Sequence, residues 1–380
     1  MRIAIPREVV AGETRVAIIP EMIPLLVRDK HQVVVETGAG LGAGFSDDEY
    51  VEAGAVIASE PQALYEGADL VVKVQPPMPH PALKRHEAEM IPEGATYAGF
   101  LAPLANRDVV KMFVARRITS FSVEYIPRIT RAQSMDVLSS MSTVAGYKAV
   151  LLAAGRMRKM IPLLMTAAGT IPPATFLILG AGVSGLQAIA TAKRLGAKVE
   201  AFDPRPSVRE QVKSLGASFV EMEVPENVET SGGYAKEQSA EFLRKEQEAI
   251  RNRLPKVDVV ISTAQVFGKR APLLVTEEMV REMRPGSVIV DLAAEQGGNC
   301  ELTKAGETIE RHGVWIIGPV NLAASVPVDA SRMYSKNITT LMKLLFPKPG
   351  VKPDFTDEIV KGCCITREGE IVNEQVRNAL

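Results

Sequence analysis

The chain has little cysteine and almost no net charge, and each scarcity excludes a class of protein. Its three cysteines are Cys300, Cys363 and Cys364, and none forms a Cys-x-x-Cys pair. Because an adjacent pair makes a poor disulfide, we expect free thiols in a reducing cytoplasm and no metal site. The formal net charge of −1 gives no electrostatic footprint for binding nucleic acid or an anionic membrane.

The sequence also lacks an uninterrupted apolar run of membrane-spanning length. Residues 1–6 enter a short strand directly, without the pattern of a signal peptide. The most apolar stretch, residues 161–183, contains Pro162, Pro172 and Pro173, which excludes a spanning helix there. We therefore expect a soluble chain that does not insert into a membrane. Any function at a membrane would need another polypeptide to supply the spanning segments.

What is present is an alternation of short apolar runs and helical stretches. With 380 residues, of which 46% are hydrophobic, the chain suits two domains of ordinary size. The alternation is typical of α/β units with parallel sheets. A first series of strands is predicted at 3–5, 32–36, 70–74, 96–100 and 119–122. A second series is predicted at 175–179, 198–202, 218–221, 257–262, 287–292 and 314–317.

Two long helical stretches connect these series. Residues 139–159 contain no proline and are rich in Ala, Leu and Met, and residues 331–345 form a second long helical stretch. Shorter helices are predicted at 20–28, 108–115, 183–195 and 276–283, the last with Thr276 as its N-cap. The predicted fold class is α/β, with two Rossmann-like or flavodoxin-like parallel-sheet domains joined by the two long helices and a cleft between them. The predicted domains are 1–138 with 330–380, and 139–329.

A glycine-rich turn follows the first strand of the second series. Gly180, Gly182 and Gly185 form a Gly-x-Gly-x-x-Gly pattern between the strand at 175–179 and the helix at 183–195. In a dinucleotide-binding turn, the first glycine permits the tight bend and the second lets backbone N–H groups approach a pyrophosphate. The third lets helix and strand pack closely, and the helix N-terminus favours the anion. The alternative is a turn that closes a βα unit without a ligand.

The next strand ends at Asp203, at the spacing expected for an acid that accepts hydrogen bonds from the adenosine ribose. A carboxylate there favours NAD over NADP, because it repels a 2′-phosphate. Arg205 leaves the choice open, since an arginine can accept that phosphate. A second glycine-rich stretch, residues 38–44, lacks the Gly-x-Gly-x-x-Gly spacing, and the next strand considered, 70–74, ends in Lys73-Val74-Gln75 rather than in an acid. It favours a flexible loop of the first domain at the rim of the cleft.

Histidine is scarce where dehydrogenase chemistry would need it. Oxidation of an alcohol or amine requires a general acid/base beside the nicotinamide, most often His or Lys. None of the four histidines follows the carboxyl end of a predicted strand, so a solvated surface position is favoured for His31, His80, His86 and His312. This distribution argues against ordinary substrate oxidation.

Two polar segments are candidate sites. Residues 127–140 combine Arg, Gln, Asp and Ser, which can hold a carboxamide and a ribose without removing a proton. The alternative is a solvated loop in which Ser134 or Asp136 caps the long helix. Residues 223–236 contain a glycine pair and Tyr234, and form either a lid or an ordinary connection.

These segments resemble the NAD(H)-binding soluble component, the alpha-1 subunit or domain I, of proton-translocating NAD(P) transhydrogenases. The resemblance extends nearly from end to end. Its most specific stretches are the runs Arg131-Ala132-Gln133-Ser134-Met135-Asp136 and Gly232-Gly233-Tyr234-Ala235-Lys236. The other matching stretches are 5–8, 13–17, 165–170, 185–196 and 295–300.

The family also includes alanine dehydrogenases, which share the fold, the Arg15 region and the position of Lys73. Their catalytic histidine follows a strand that ends in Phe-Leu, where this sequence continues Phe100-Leu101-Ala102-Pro103. An aspartate of theirs is replaced by Glu295, four residues after Asp291. The acid/base that imine chemistry requires is therefore missing.

The resemblance implies a set of site residues. Around the nicotinamide and its ribose it places Arg128, Gln133, Asp136 and Ser139, and it extends Gln133 towards NADP(H) on a separate domain. It places Tyr234 on a mobile loop over the nucleotide. Along the adenosine and ribose it places the glycine turn together with Val183, Asp203, Pro204, Arg205, Gly233, Ala264 and Gln265.

The resemblance implies an activity as well: hydride transfer between NADH on this chain and NADP+ on a partner subunit, with proton translocation by membrane-embedded subunits. It implies a cytoplasmic homodimer that reaches the inner membrane through those partners. Two alternatives stay open, an amino-acid oxidoreductase of the alanine dehydrogenase type and a non-catalytic NAD(H) sensor.

Overall fold

The chain folds into two compact units. A computed structural model describes residues 1–222, 239–266, 269–348 and 350–380. One unit contains Met1–Met141 and Ala323–Leu380, and the other contains Ser142–Leu322. The sequence placed these divisions after residues 138 and 329.

The first unit begins with short, mostly buried strands separated by helices. Its strands are β1 (Arg2–Ile5), β2 (Gln32–Glu36), β3 (Val56–Ala58), β4 (Leu70–Val72), β5 (Pro79–His80), β6 (Arg85–His86), β7 (Thr96–Gly99) and β8 (Thr119–Ser122). Its helices are α1 (Ile23–Arg28), α2 (Asp47–Glu52), α3 (Pro61–Tyr65), α4 (Glu87–Met90) and α5 (Arg107–Ala115). Local sequence explains several boundaries. Ser46 and Glu49 form a capping box at the start of α2, and Val109, Val110 and Phe113 form the buried face of α5.

The long helix α6 (Val137–Arg156) leads into the second unit. The strands there are β9 (Leu164–Thr166), β10 (Gly169–Ile171), β11 (Thr175–Leu179), β12 (Lys198–Phe202), β13 (Ser218–Phe219), β14 (Val259–Ser262), β15 (Val288–Asp291), β16 (Thr308–Arg311) and β17 (Val314–Ile317). The helices are α7 (Val183–Arg194), α8 (Arg209–Ser214), α9 (Ala240–Arg251) and α10 (Glu277–Arg281). The predicted N-cap of α10 is confirmed, because the Thr276 side chain accepts from the Met279 N–H.

The chain returns to the first unit through a 3₁₀ turn, Leu322–Ser325. The remaining elements are α11 (Pro327–Leu345), α12 (Glu358–Cys363), β18 (Cys364–Arg367), β19 (Glu370–Ile371) and α13 (Glu374–Ala379). The second long predicted helix therefore lies within the first unit, and it starts earlier than residue 331 because Pro327 suits the first turn of a helix.

Both main sheets have the doubly wound order of dinucleotide-binding folds. The first runs β19-β18-β8-β7-β4-β1-β2-β3, and the second runs β13-β12-β11-β14-β15-β17-β16. Pairing is parallel except at one edge of each sheet, where β18, β19 and β16 pair antiparallel. In each sheet the winding direction reverses beside the first strand, between β1 and β4 and between β11 and β14. Ligands of open α/β sheets bind at the carboxyl ends of the strands at such a reversal.

The second sheet is buried on both faces. Phe176 and Ile178 of β11 belong to one hydrophobic cluster, and the alternate residues Leu177 and Leu179 belong to another. Because neighbouring side chains of a strand point to opposite faces, helices cover both sides of this sheet. The predicted α/β class with two parallel-dominated sheets is confirmed.

One expectation needs correction. His31 and His80 are buried, with 8% and 9% exposure, and are not solvated surface residues.

Helix α6 bears on the expectation that the chain does not insert into a membrane. Among the described residues, it is long and apolar enough to cross a membrane by length and composition, with 39% of its apolar window buried. Core helices of soluble proteins pass the same test, so this is weak evidence for a span.

Candidate functional site

The glycine turn lies at the carboxyl end of β11, at the reversal point of the second sheet. Gly180 has φ +94°, a conformation that glycine adopts without strain. A Cβ on Gly185 would lie 1.8 Å from the carbonyl oxygen of Gly180. Gly180 therefore permits the bend, and Gly185 permits the close packing of α7 against the turn, as the spacing predicted.

Gly182 has a different environment. It immediately precedes α7, and a Cβ on it would meet no atom closer than Nη2 of Arg205, at 4.0 Å. The backbone at the start of this twelve-residue helix therefore faces open space on the side of Gly182. The first N–H groups of a helix have no intrahelical partners and attract anions. This cradle fits a pyrophosphate.

Asp203 follows β12 and is 4% exposed. Its carboxylate accepts from the Ala181 N–H at 2.7 Å, which ties it to the glycine turn. Nε and Nη2 of Arg205 each donate to it at 2.8 Å, and the Arg205 N–H donates at 2.9 Å. Asp203 and Arg205 therefore form a hydrogen-bonded ion pair beside Gly182. Val183 begins α7 and Pro204 separates the two charged residues, so both lie at the same edge of the sheet.

The segment after β14 completes this edge. The Thr263 hydroxyl donates to the carbonyl oxygen of Gly180 at 3.1 Å. The Ala264 backbone pairs with the side chain of Asn299, and Nε2 of Gln265 donates to the carbonyl oxygen of Leu292 at 2.9 Å. The structure thus brings together nine predicted nucleotide residues: Gly180, Gly182, Val183, Gly185, Asp203, Pro204, Arg205, Ala264 and Gln265.

Sequence reasoning missed the residues that hold this segment, Asp291 and Asn299. Both are fully buried. The available signal was a polar residue at the end of an apolar strand, Asp291, followed by a glycine pair. Gly297 and Gly298 both have positive φ, so the chain turns back and places Asn299 beside Ala264.

In the first unit, the four predicted nicotinamide residues share one segment. Arg128, Gln133 and Ser134 are exposed, and residues Thr130–Met135 form a 3₁₀ turn. The Asp136 carboxylate accepts from the Ser139 N–H at 2.9 Å and from the Ser139 hydroxyl at 2.6 Å. Asp136 therefore caps α6, as one of the two interpretations of this segment expected. Gly233 and Tyr234 lie outside the described residues.

The other glycine-rich stretch is a packed turn. Residues Leu41–Ala43 form a 3₁₀ turn. A Cβ on Gly40 would lie 2.7 Å from the Phe45 carbonyl oxygen, and one on Gly42 would lie 2.8 Å from that of Thr14. These glycines are explained by close packing within the first unit.

The carboxyl edge of the first sheet is filled by charged side chains of the chain itself. The Glu8 carboxylate accepts from the N–H groups of Val74 at 2.6 Å and Gln75 at 3.2 Å. The Lys73 ammonium group contacts Glu87 at 2.6 Å and Glu8 at 3.4 Å, with all three side chains buried. Burial raises the pKa of Glu8 to about 7, although Lys73 opposes this shift. These internal pairs form a structural network.

Metal and thiol chemistry receive no support from the residues that the structure describes. Among them, no cluster of three or more His, Cys, Asp or Glu side chains could hold a metal ion. All three cysteines are free and buried. Burial raises the pKa of Cys300 to about 11 and that of Cys364 to about 12, so their thiols are protonated and unreactive at neutral pH.

Comparisons with known proteins agree with this geometry. Residues 4–145 match the family model "Alanine dehydrogenase/PNT, N-terminal domain", and residues 149–374 match "Alanine dehydrogenase/PNT, C-terminal domain". An NAD(P) transhydrogenase alpha subunit of Rhodospirillum rubrum is 48% identical, over 98% of each chain. A transhydrogenase structure from Sinorhizobium meliloti has a TM-score of 0.87 at 40% identity, covering 98% of this chain and 100% of that one.

More distant relatives lie on the amino-acid dehydrogenase side. Alanine dehydrogenase 2 of Staphylococcus aureus is 30% identical, over 100% of this chain and 96% of that protein. The identity to transhydrogenase alpha subunits is higher over a similar span. The chain therefore belongs to the alanine dehydrogenase/PNT family of oxidoreductases, within which it groups with the alpha subunits of NAD(P) transhydrogenases.

Proposed function

We propose that this chain is the NAD(H)-binding component of a proton-translocating NAD(P) transhydrogenase, in which a hydride passes directly between NADH and NADP+ held by a partner subunit. The observation that carries the proposal is the open cradle at Gly182 beside buried Asp203, in a chain similar to transhydrogenase alpha subunits over nearly its whole length.

The nucleotide is held at the carboxyl edge of the second sheet. Gly182 and the first turn of α7 receive the pyrophosphate, and Asp203 accepts from the adenosine ribose hydroxyls. The pairing of Arg205 with Asp203 supports NAD(H) over NADP(H), because it engages the guanidinium that a 2′-phosphate needs. The path of the nucleotide along this edge is lined by Val183, Pro204, Ala264 and Gln265. Gly233 and Tyr234 belong to this proposal on the resemblance alone.

The chemistry requires orientation more than proton transfer. Bound NADH supplies a hydride from C4 of its nicotinamide, and transfer to a second nicotinamide moves no proton. The chain then needs to align the ring and exclude water. We assign this alignment to Arg128, Gln133, Asp136 and Ser139. The Asp136–Ser139 hydrogen bonds fix the start of α6, and exposed Gln133 is the group that reaches towards NADP(H) on the partner.

We also propose a homodimer and further partner subunits. The β9–β10 hairpin leaves Met165 75% exposed, and nearby Leu163 is 55% exposed. Apolar side chains exposed next to one another favour a protein contact, and because the resemblance implies a homodimer, we assign this contact to a second copy of the chain. The relatives named as alpha subunits support further subunits. On the resemblance, we assign NADP(H) binding, proton translocation and attachment to the cytoplasmic face of the inner membrane to those partners.

The test uses the isolated chain, a purified NADP(H)-binding component and NADH deuterated at C4. We expect the chain alone to bind NADH without reducing NADP+, and the mixture to move deuterium into NADPH without exchange with water. A Gln133→Asn variant should slow transfer in the mixture while leaving NADH binding intact.

Other outcomes would point elsewhere. Reduction of NAD+ by L-alanine with the chain alone would favour an amino-acid oxidoreductase. Tight NADH binding without any deuterium transfer in the mixture would favour a nucleotide sensor.

A further inference from the structure

Asn299 uses all of its polar side-chain atoms to hold other segments of the backbone. Its Oδ1 accepts from the Ala264 N–H at 3.1 Å, and its Nδ2 donates to the carbonyl oxygens of Ala264 at 2.9 Å and Pro272 at 2.8 Å. The side chain thus pairs with Ala264 as a neighbouring strand would. Since Asn299 is 0% exposed, water cannot replace these bonds.

The backbone of Asn299 is held equally firmly. Its N–H donates to Oδ2 of Asp291 at 2.7 Å, and its carbonyl oxygen accepts from the N–H groups of Leu274 at 2.8 Å and Val275 at 3.0 Å. Rotation of the side chain or shift of the backbone would therefore break several bonds at once.

Asp291 supplies the charge that organises this loop. Its buried carboxylate accepts from five donors, and hydrogen bonds to a charged acceptor are stronger than neutral ones. The five donors are the Ser262 hydroxyl, the Thr303 hydroxyl and the N–H groups of Ala293, Asn299 and Cys300. A Cβ on Gly298 would lie 2.9 Å from Oδ2 of Asp291, so glycine at 298 lets the loop approach the carboxylate.

The segment held by Asn299 lies next to the glycine turn. The position of a Cβ on Gly180 is 3.3 Å from the Ala264 nitrogen. β14, which leads into Ala264, is on one side of β11, and β12, which leads into Asp203, is on the other. A dinucleotide that crosses this reversal point has its adenosine over β12 and its other half over β14.

We propose that Asn299, oriented by Asp291, is a positioning residue that fixes the Ala264–Gln265 backbone for the nicotinamide half of NAD(H). The proposal rests on the proposed function. Asn299 itself does not contact the nucleotide. The two halves of the site then depend on different residues: the adenosine half on Asp203, and the nicotinamide half on the hydrogen bonds between Asn299 and Ala264.

The test is an Asn299→Asp variant, which keeps the size of the side chain and its acceptor. It loses both Nδ2 hydrogen bonds and turns an oxygen towards the carbonyl groups of Ala264 and Pro272. Asn373→Asp is the matched control. In the first unit Asn373 also donates to a carbonyl oxygen, that of Gly362 at 3.0 Å, and accepts from an N–H, that of Val376 at 3.1 Å.

Calorimetric titration with NADH measures the affinity of the whole site, and titration with 5′-AMP measures the affinity of its adenosine half. We expect Asn299→Asp to weaken NADH binding about tenfold or more, the effect of losing one or two buried hydrogen bonds. AMP binding should stay within about twofold, and Asn373→Asp should leave both affinities unchanged. Equal losses for NADH and AMP indicate a merely structural role and overturn the proposal, as does unchanged NADH binding.

If Asn299→Asp does not fold, Thr303→Val decides the question. It removes one of the five donors to Asp291 at a half-buried position, and a smaller loss confined to NADH is expected. Equal loss of NADH and AMP, or no loss, overturns the proposal here too. Failure of wild-type chain to bind NADH would instead refute the proposed function.

Discussion

The guanidinium of Arg205 is bonded at two points to the carboxylate of Asp203, with Nε–Oδ1 and Nη2–Oδ2 distances of 2.8 Å. The two side chains are 13% and 3% exposed. Two-point pairing of this kind has high geometric specificity. It gives Asp203 a second role in the proposed site, because the acid that we assign to the ribose also engages the cation that would accept a 2′-phosphate.

The first prediction concerns this pairing. In Asp203→Asn the side-chain oxygen can still accept from the Ala181 N–H, but the charge that holds Arg205 is lost. We expect NADH affinity to fall and NADPH affinity to rise, with a change of about tenfold in their ratio. Titration with both nucleotides measures the ratio.

The control is Glu282→Gln, which disrupts the more exposed Arg251–Glu282 pair of the same unit. It should change neither affinity, because exposed pairs contribute little. An unchanged NADH-to-NADPH ratio in Asp203→Asn would show that this pair does not set nucleotide choice.

The second prediction separates packing from binding within the glycine turn. A Cβ at Gly185 overlaps the Gly180 carbonyl, whereas a Cβ at Gly182 meets only the end of a flexible arginine at 4.0 Å. Gly185→Ala should therefore lower the free energy of unfolding by about 3 kcal/mol. Gly182→Ala should lower it by less than about 1 kcal/mol and still weaken NADH binding. Urea unfolding and NADH titration measure the two effects, and similar stability losses in both variants would contradict the assignment.

The sequence was most informative where structure depends on neighbours in the chain. The local geometry of the glycine turn, the position of Asp203 and the Thr276 cap were all predicted, because each depends on residues within one βαβ unit or one helix turn. Asn299 was not, since its partners Ala264 and Pro272 become neighbours only when the Gly297–Gly298 turn brings distant segments together. His31 was misplaced for a similar reason, because its burial results from tertiary packing.

The antiparallel edges were also beyond local reasoning. β18 pairs with β8, more than 240 residues earlier in the chain, and its short apolar run carries no signal of direction. For the segment 127–140, the sequence left two interpretations open for a different reason. Asp136 is suited both to capping a helix and to binding a ligand, and its observed bonds to Ser139 account for the cap alone.

The third prediction resolves those two roles of Asp136. Asparagine is as good an N-cap as aspartate, so Asp136→Asn should change the free energy of unfolding by about a few tenths of a kcal/mol, whereas Asp136→Ala should cost about 1 kcal/mol. If Asp136 also aligns the nicotinamide, Asp136→Asn should slow hydride transfer in the mixture with the NADP(H)-binding component. Wild-type transfer rates in Asp136→Asn would reduce its role to capping.

The last prediction concerns Glu246, a 4% exposed carboxyl on α9. Burial raises its pKa from the usual 4.5 to about 7, with a further contribution from the charge of Asp203. Between about pH 4.5 and pH 7, the Glu246 carboxyl therefore keeps its proton in the folded state, whereas the unfolded chain has already released it. The resulting stabilisation is fully present below about pH 4.5 and is lost as the pH rises through about 7.

A glutamine at this position cannot ionise, so Glu246→Gln should remove that loss. At pH 8 we expect the variant to exceed the wild type in free energy of unfolding by about 1–3 kcal/mol, with the difference falling below about 1 kcal/mol at pH 5 and vanishing only below about pH 4.5. Urea unfolding followed by circular dichroism from pH 5 to 8 measures it. Glu248→Gln, at an exposed position of the same helix, should run parallel to the wild type. If Glu246→Gln ran parallel as well, the Glu246 carboxyl would be ionised throughout this range, and its burial would have to be balanced by a partner.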